Sequence, residues 1–262
     1  MFNLKTTIRV GLAAMSSLVV AGCVSYDRMQ AAPSIGQQIA VQLTSDELST
    51  WSDLPVGAYR IPGSQVIVSG QQKRAKPGGG GLLGLLIIDT IETHKHAASV
   101  ESSEAALRLH VDDELRADVG AAIANPALSD RLSMVGSGRR VADTVIISPA
   151  IVLTFFENSK VMPFVVLKAE MRSDRGDVEW STRYFASTGA ERPLEGDDGW
   201  LANGGAPLSA SISASLAQAV KVALADVAHP YARDPAKLVR VRAHVPYQPE
   251  HFYFGRQRAD RG

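Results

Sequence analysis

Cysteine is almost missing from this chain: its 262 residues hold one, Cys23. A single thiol excludes an intrachain disulfide and a zinc site built from cysteines, so folding has to rest on the core alone. An excess of one charge is missing too. Lysine plus arginine number 27 and aspartate plus glutamate 27. Removal of residues 1–22 takes away only Lys5 and Arg9, leaving 25 basic residues of the 27 against 27 acidic ones. A balance of that kind points to neither a nucleic-acid partner nor a polybasic membrane patch. No internal repeat stands out, and motifs for nucleophilic catalysis are lacking. Gly136-Ser137-Gly138 has one glycine too close for Gly-x-Ser-x-Gly, and no Ser-x-x-Lys occurs.

The strongest positive signal lies at the N-terminus. Lys5 and Arg9 form a positive stretch with no acidic residue before Asp27, and Val10 to Gly22 is apolar apart from Ser16 and Ser17. That length suits the core of a signal peptide and is too short to span a bilayer. It ends in Leu18-Val19-Val20-Ala21-Gly22-Cys23. These residues resemble the lipobox of bacterial lipoproteins, which is cut just before the cysteine. The resemblance implies that the Cys23 thiol becomes a thioether to diacylglycerol and that the freed amine is acylated, palmitate being the usual chain. Several acyl chains hold a protein far more firmly than one, at about 0.8 kcal/mol per buried CH₂. In that class Asp after the cysteine favours inner-membrane retention. Val24 stands there, so an outer-membrane anchor facing the periplasm is expected, with surface exposure left open.

The domain plan that follows is a signal peptide at 1–22, a lipidated tether at 23–50, and a single periplasmic domain at 51–262. A mature chain of about 240 residues can bury a sizeable core. Gly57–Ile61 and Gln65–Ser69 read as a hairpin around Pro62-Gly63, a pair suited to a type II turn. From Leu82 to about Ala124 the pattern is helical. Leu107, Val111, Leu115, Val119 and Ile123 recur every four residues, a break is expected at 98–103 where Ser99, Ser102 and Ser103 favour caps, and Asn125-Pro126 ends the run.

Three strands then form a meander over 141–186. They are Val141–Phe156, with Pro149 forcing a bulge or an edge, Phe164–Met171, and Val178–Ala186. Along the second of them Val166, Lys168, Glu170 and Arg172 alternate with Val165, Leu167, Ala169 and Met171. Ser187–Pro207 reads as loop. Leu208–Val227 is a second amphipathic helix, with Ile212, Leu216, Val220 and Leu224 on one stripe. Leu238–Val245 reads as a strand that could add to a sheet edge, with Phe252-Tyr253-Phe254 packing back on the body. The expected fold is α+β: an antiparallel sheet with a long helix and a second, C-terminal helix mainly on one face. This order loosely resembles small periplasmic domains of envelope lipoproteins, including those of the curli-secretion and penicillin-binding-protein-activator type, and uncharacterised Gram-negative lipoproteins. The resemblance carries no site residue.

Candidate chemistry is sparse. Gly79-x-Gly81-x-x-Gly84 formally matches a dinucleotide fingerprint, but Gln71 to Pro77 separate it from any strand and no βαβ pattern follows, so no cofactor is expected. The Gly-rich apolar segment 78–88 is otherwise a candidate contact segment. Gly80 and Gly84 permit close helix approach, and Leu83, Leu86 and Ile87 offer apolar surface. The alternative is that Leu82 to Ile88 is the buried start of the long helix. His94-x-His96 points its rings to opposite sides of a helix, Asp197-Asp198 lacks the alternation of a calcium loop, and no metal site is expected. His110 with Asp113 or Glu114 has the spacing of a surface pair.

These readings favour a non-enzymatic structural or accessory component of an envelope assembly, working in transport, secretion or wall maintenance. Its partners would be the membrane, through acyl chains on Cys23, and either another protein or itself. Two alternatives are a periplasmic carrier of an apolar ligand, and an envelope hydrolase whose site is assembled only in space.

Overall fold

The computed structural model describes residues 38–44, 51, 58–70, 95–136, 143–156, 160–173 and 175–229, together with the backbone of 238–243 and 251–256. Contacts divide the chain into Met1–Gln30 and Ala31–Gly262, and every described residue belongs to the second unit. The signal peptide, Cys23 and the segment 78–88 lie outside the described residues.

The spine is a long hairpin of β5 (Thr144–Phe155) and β6 (Lys160–Arg172), in register without interruption from Thr144 opposite Arg172 to Phe155 opposite Val161. The outer flank of β6 carries β7 (Val178–Ala186) over most of its length and the short β8 (Arg192–Pro193) at its start. The outer flank of β5 is split between two pairs. β1 (Ile39–Leu43) runs parallel to its first part, with β4 (Leu132–Met134) beyond it. β3 (Val66–Gly70) runs parallel to its second part, with β2 (Ala58–Arg60) beyond it. The α+β class and the meander hold, but the sheet is mixed rather than antiparallel. Hairpin turns fix neighbours that are adjacent in sequence; the pairing of β1 and β3 with a strand far along the chain has no local signal.

Two prolines mark the joins. The Ile147 carbonyl accepts from Thr44 N–H (3.1 Å), and the Ile151 N–H donates to the Gln65 carbonyl (2.8 Å), so the odd residues of β5 turn their polar groups toward β1 and β3. Pro149 lies between them, at the gap where β1 has ended and β3 has not begun. There an N–H would meet no strand. The expected bulge is therefore absent, and the edge is local. On the other flank Pro163 falls between the stretches paired with β8 and β7, and its carbonyl accepts from Ser187 Oγ at 2.7 Å.

The helices lie on one face. The odd residues of β5 and β6, with Trp180, Tyr184 and Ala186 of β7, share one buried cluster with α4 (Ala202–Ala228), which packs on β6 and β7 and whose Leu208, Ile212, Leu216, Val220 and Leu224 form the expected stripe. By length and composition α4 could cross a membrane, but half of its most apolar window is buried inside the molecule, as for a core helix. Tyr184 Oη donates to Asp226 Oδ2 (2.8 Å) and ties β7 to it. The loop expected up to Pro207 contains β8, and because Asn203, Gly204 and Gly205 are non-helical the regular part of α4 begins beyond them, close to the expected Leu208.

The long helix expected over 82–124 is broken, among the described residues, into a helical segment 95–101, α1 (Glu104–Leu107), α2 (Asp112–Ile123) and α3 (Pro126–Ser129). Ser103 caps α1 by accepting from Ala106 N–H (3.2 Å), at the break foreseen, and Asn125 caps α3 with Pro126 in its first turn. The second break, at Arg108–Val111, was not foreseen. Val111 has no side chain to cap α2. Gln65, 46 residues away and 3% exposed, takes that place: its Oε1 accepts from Val111 N–H (2.9 Å) and its Nε2 donates to Asp112 Oδ1 (2.5 Å). A side-chain amide from a distant segment thus supplies what the local sequence lacks.

Two boundaries move. The tether expected to reach residue 50 ends sooner, because Ile39, Ala40 and Val41 are buried in β1 between β4 and β5. Among the described residues the tail strand β9 (Leu238–Ala243) joins no edge of the main sheet. It pairs antiparallel with β10 (His251–Arg256) as a ribbon of its own. The side chains of Phe252, Tyr253 and Phe254, expected to pack on the body, lie outside what is described.

Candidate functional site

The face of the sheet away from the helices carries the densest polar chemistry among the described residues. Its central part is apolar: Ile67, Ala150, Val152, Met162, Phe164 and Val166 gather around Trp51, which is 1% exposed. Strand alternation places Lys168, Glu170 and Arg172 in line with Phe164 and Val166 on this same face. Glu170 stands between its two neighbours. Lys168 Nζ reaches its Oε1 at 2.6 Å and Arg172 Nη2 its Oε2 at 2.7 Å. Burial alone would push the Glu170 carboxyl up, but hydrogen bonds and charge from Lys168 and Arg172 outweigh it and hold it below the usual carboxylate range.

Beside this row Trp51 is clamped by two arginines. Arg60 Nη2 donates to its carbonyl (2.6 Å), and the Arg183 guanidinium sits 5.3 Å from its ring centroid. The Trp51 Nε1 is buried with no hydrogen-bond partner. Arg183 lies directly across from Lys168 on the neighbouring strand. The face therefore combines a planar aromatic, four basic side chains and one carboxylate kept ionised. Such a carboxylate is a poor proton donor near neutral pH, and its partners only donate hydrogen bonds. The arrangement suits charge recognition better than proton transfer.

A second feature is a cleft of about 460 Å³ at the start of α4, lined by Glu104, Arg108, Leu109, Asn203, Gly204 and Ser209 among others. Asn203, Gly204 and Gly205 form a left-handed run there, with φ of 50°, 70° and 86°. At Gly205 a Cβ would come within 3.1 Å of the Ala105 Cβ, so close approach of α1 requires glycine. Arg108 and Glu104 pair with each other on the exposed surface, so the cleft's charges neutralise locally.

Of the residues singled out from sequence, Cys23, Gly80, Leu83, Gly84, Leu86 and Ile87 lie outside the described residues, as does His94. His96 stacks on Phe155 with centroids 4.1 Å apart. His110 precedes α2 on the surface, and the His229 ring lies 3.1 Å from the Ala127 carbonyl. The three histidines whose side chains are described thus stand on separate elements. Asp197 and Asp198 are exposed in the loop before α4. No group of three His, Cys, Asp or Glu among the described residues is placed to hold a metal. Sequence reasoning missed Trp51, Arg60 and Arg183 as parts of one face. The Lys168-x-Glu170-x-Arg172 spacing was a usable signal for the charged row, since residues two apart share a side of a strand.

No family model matches the chain, and no curated protein matches it. Among solved structures it is similar to protein XCC0632 from Xanthomonas campestris, of the family DUF330. The identity is 12% and the TM-score 0.29, over 77% of this chain and 89% of that one. A likeness of that size carries no argument about function.

Proposed function

We propose that the chain is a lipid-anchored outer-membrane lipoprotein whose periplasm-facing α+β domain works by binding, as a structural or accessory component of a cell-envelope assembly. The observation that carries this reading is Leu18 to Cys23, a lipobox-like ending on an apolar run that follows Lys5 and Arg9. The charged and aromatic face, with its ionised Glu170, supports recognition of a partner.

The test is growth with labelled palmitate, followed by membrane fractionation of the natural chain and of Cys23→Ala. The expected result is label on the natural chain, mass consistent with acylation at residue 23, and outer-membrane recovery. The variant should lose the label and keep its signal peptide. An unlabelled natural chain, or a variant processed and distributed like it, would overturn the anchor.

A further inference from the structure

We propose that the ribbon of β9 and β10 docks on a membrane surface of anionic phospholipid, through the face that carries Arg240, Arg242 and Arg256 together with Phe252 and Phe254. The inference rests on the ribbon alone and stands apart from the lipobox-like N-terminus. Pairing register makes the face. In an antiparallel pair, residues directly opposite share a face, and the face alternates along each strand. Phe252 stands opposite Arg242, Phe254 opposite Arg240, and Arg256 opposite Leu238, so these six fall on one face. The other face takes Val239, Val241, Ala243, His251, Tyr253 and Gly255, with no Lys, Arg, Asp or Glu among them.

Charge selects the occupant. The even balance of the whole chain conceals an uneven distribution. Residues 230–262 hold seven basic residues against three acidic ones, whereas residues 23–229 hold 18 against 24. The two strands of the ribbon contribute three of those arginines and no acid. An anionic surface is thus repelled by the body of the protein and attracted by the ribbon. Among the described residues β9 and β10 pair only with each other, and a two-stranded ribbon is marginal in water unless something covers it. Apolar contacts suit the uncharged face. A face that mixes arginine with phenylalanine is matched where phosphate and acyl chain meet, at the boundary between headgroups and hydrocarbon. An acidic protein surface would match the arginines but offer Phe252 and Phe254 no apolar bed.

The test uses the full chain carrying Cys23→Ser and Gln248→Cys, so that a nitrobenzoxadiazole dye on the single thiol reports from the segment joining β9 to β10. The chain is reconstituted from detergent into vesicles of phosphatidylcholine alone, or of phosphatidylcholine mixed with phosphatidylglycerol. Acrylamide, an uncharged quencher, then probes the dye. Quenching should be about threefold weaker in the anionic vesicles than in the neutral ones, and high salt should abolish the difference. Arg240→Ser, Arg242→Ser and Arg256→Ser together should abolish it too, with an unchanged circular dichroism spectrum. Lysine at the same three positions should keep most of it, since an ammonium still meets phosphate. Lys5 and Arg9 are the same in all of these chains, so they account for no difference among them. Equal quenching in the two kinds of vesicle would overturn the proposal, whether the dye is open to water in both or covered by protein in both. A difference that survives high salt, or the three serines, would do the same.

Discussion

The two faces of the sheet are buried by different chemistry. On the helix face Leu153, Leu167 and Ala169 of the strands are buried in one cluster with Leu208, Leu216 and Leu224 of α4, all aliphatic side chains. On the other face an apolar patch around Trp51 runs directly into Lys168, Glu170 and Arg172. The first face gains from area removed from water, at about 25 cal/mol per Å², and depends little on pH. The second depends on pairing: its carboxylate is tolerable only while both cations remain beside it. One face fixes the fold, while the other leaves the surface able to respond to charge.

The comparison can be broken most strongly from the helix face. Leu216→Ala removes a fully buried side chain at the centre of α4 and is expected to cost about 3 kcal/mol, read as a lowered urea midpoint with an unchanged slope. Gln65→Leu comes next. It leaves the Val111 N–H without its acceptor and the Asp112 Oδ1 without its donor, for about 2 kcal/mol. Hydrogen exchange should speed up first in α2 rather than in the hairpin of β5 and β6. If exchange quickens uniformly, Gln65 is not the local cap.

The smaller effects test the charged face by pH. The folded state holds Glu170 below its usual value of 4.5, so its stability contribution is present above that value and is lost as pH falls through the folded-state pKa. Glu170→Gln should therefore be destabilised by about 1 kcal/mol at pH 7, with solvent screening at Arg172 keeping the figure small. The gap to the natural chain should close on acidification; a gap independent of pH would mean that packing, not charge, is what was lost. Asp118 of α2 behaves oppositely. Burial, and then Glu114, push its carboxyl above 3.8, and its Oδ2 is buried without a partner. A raised carboxylate contributes stability while protonated and loses it as pH rises. Asp118→Asn should thus stabilise the protein at pH 7, by less than about 1 kcal/mol, and bring no gain near pH 3. A melting temperature lowered at pH 7 would show that the carboxylate has a role in the fold.

Much of this architecture was readable from local pattern. The meander followed from the alternation in Phe164–Met171 and Val178–Ala186, the second helix from Ile212, Leu216, Val220 and Leu224, and the hairpin from Pro62-Gly63, where Gly63 takes a φ of +65°. Errors arose where a partner far along the chain decided the outcome. Ile39–Leu43 is only five residues long and follows a polar stretch, so nothing local separated a buried parallel strand from a tether. Arg108–Val111 broke the long helix because Gln65 offered α2 a cap that no nearby residue provides. Of the polar face, the row at 168, 170 and 172 was written in its spacing. Trp51, Arg60 and Arg183 come from three distant segments, and only folding brings them together.

By itself the sequence determined the periodic elements, the lipobox-like N-terminus and the division of the meander into an inward and an outward set of residues. These depend on neighbours within a few positions, where side-chain direction repeats every two or 3.6 residues. The tertiary structure alone decided the parallel partners of β5, the placing of Pro149 and Pro163 at joins between flanking strands, the cap on α2 and the clamp on Trp51. Each of these is a choice among distant partners, made by which arrangement buries the most apolar surface while leaving the fewest N–H and C=O groups unpaired.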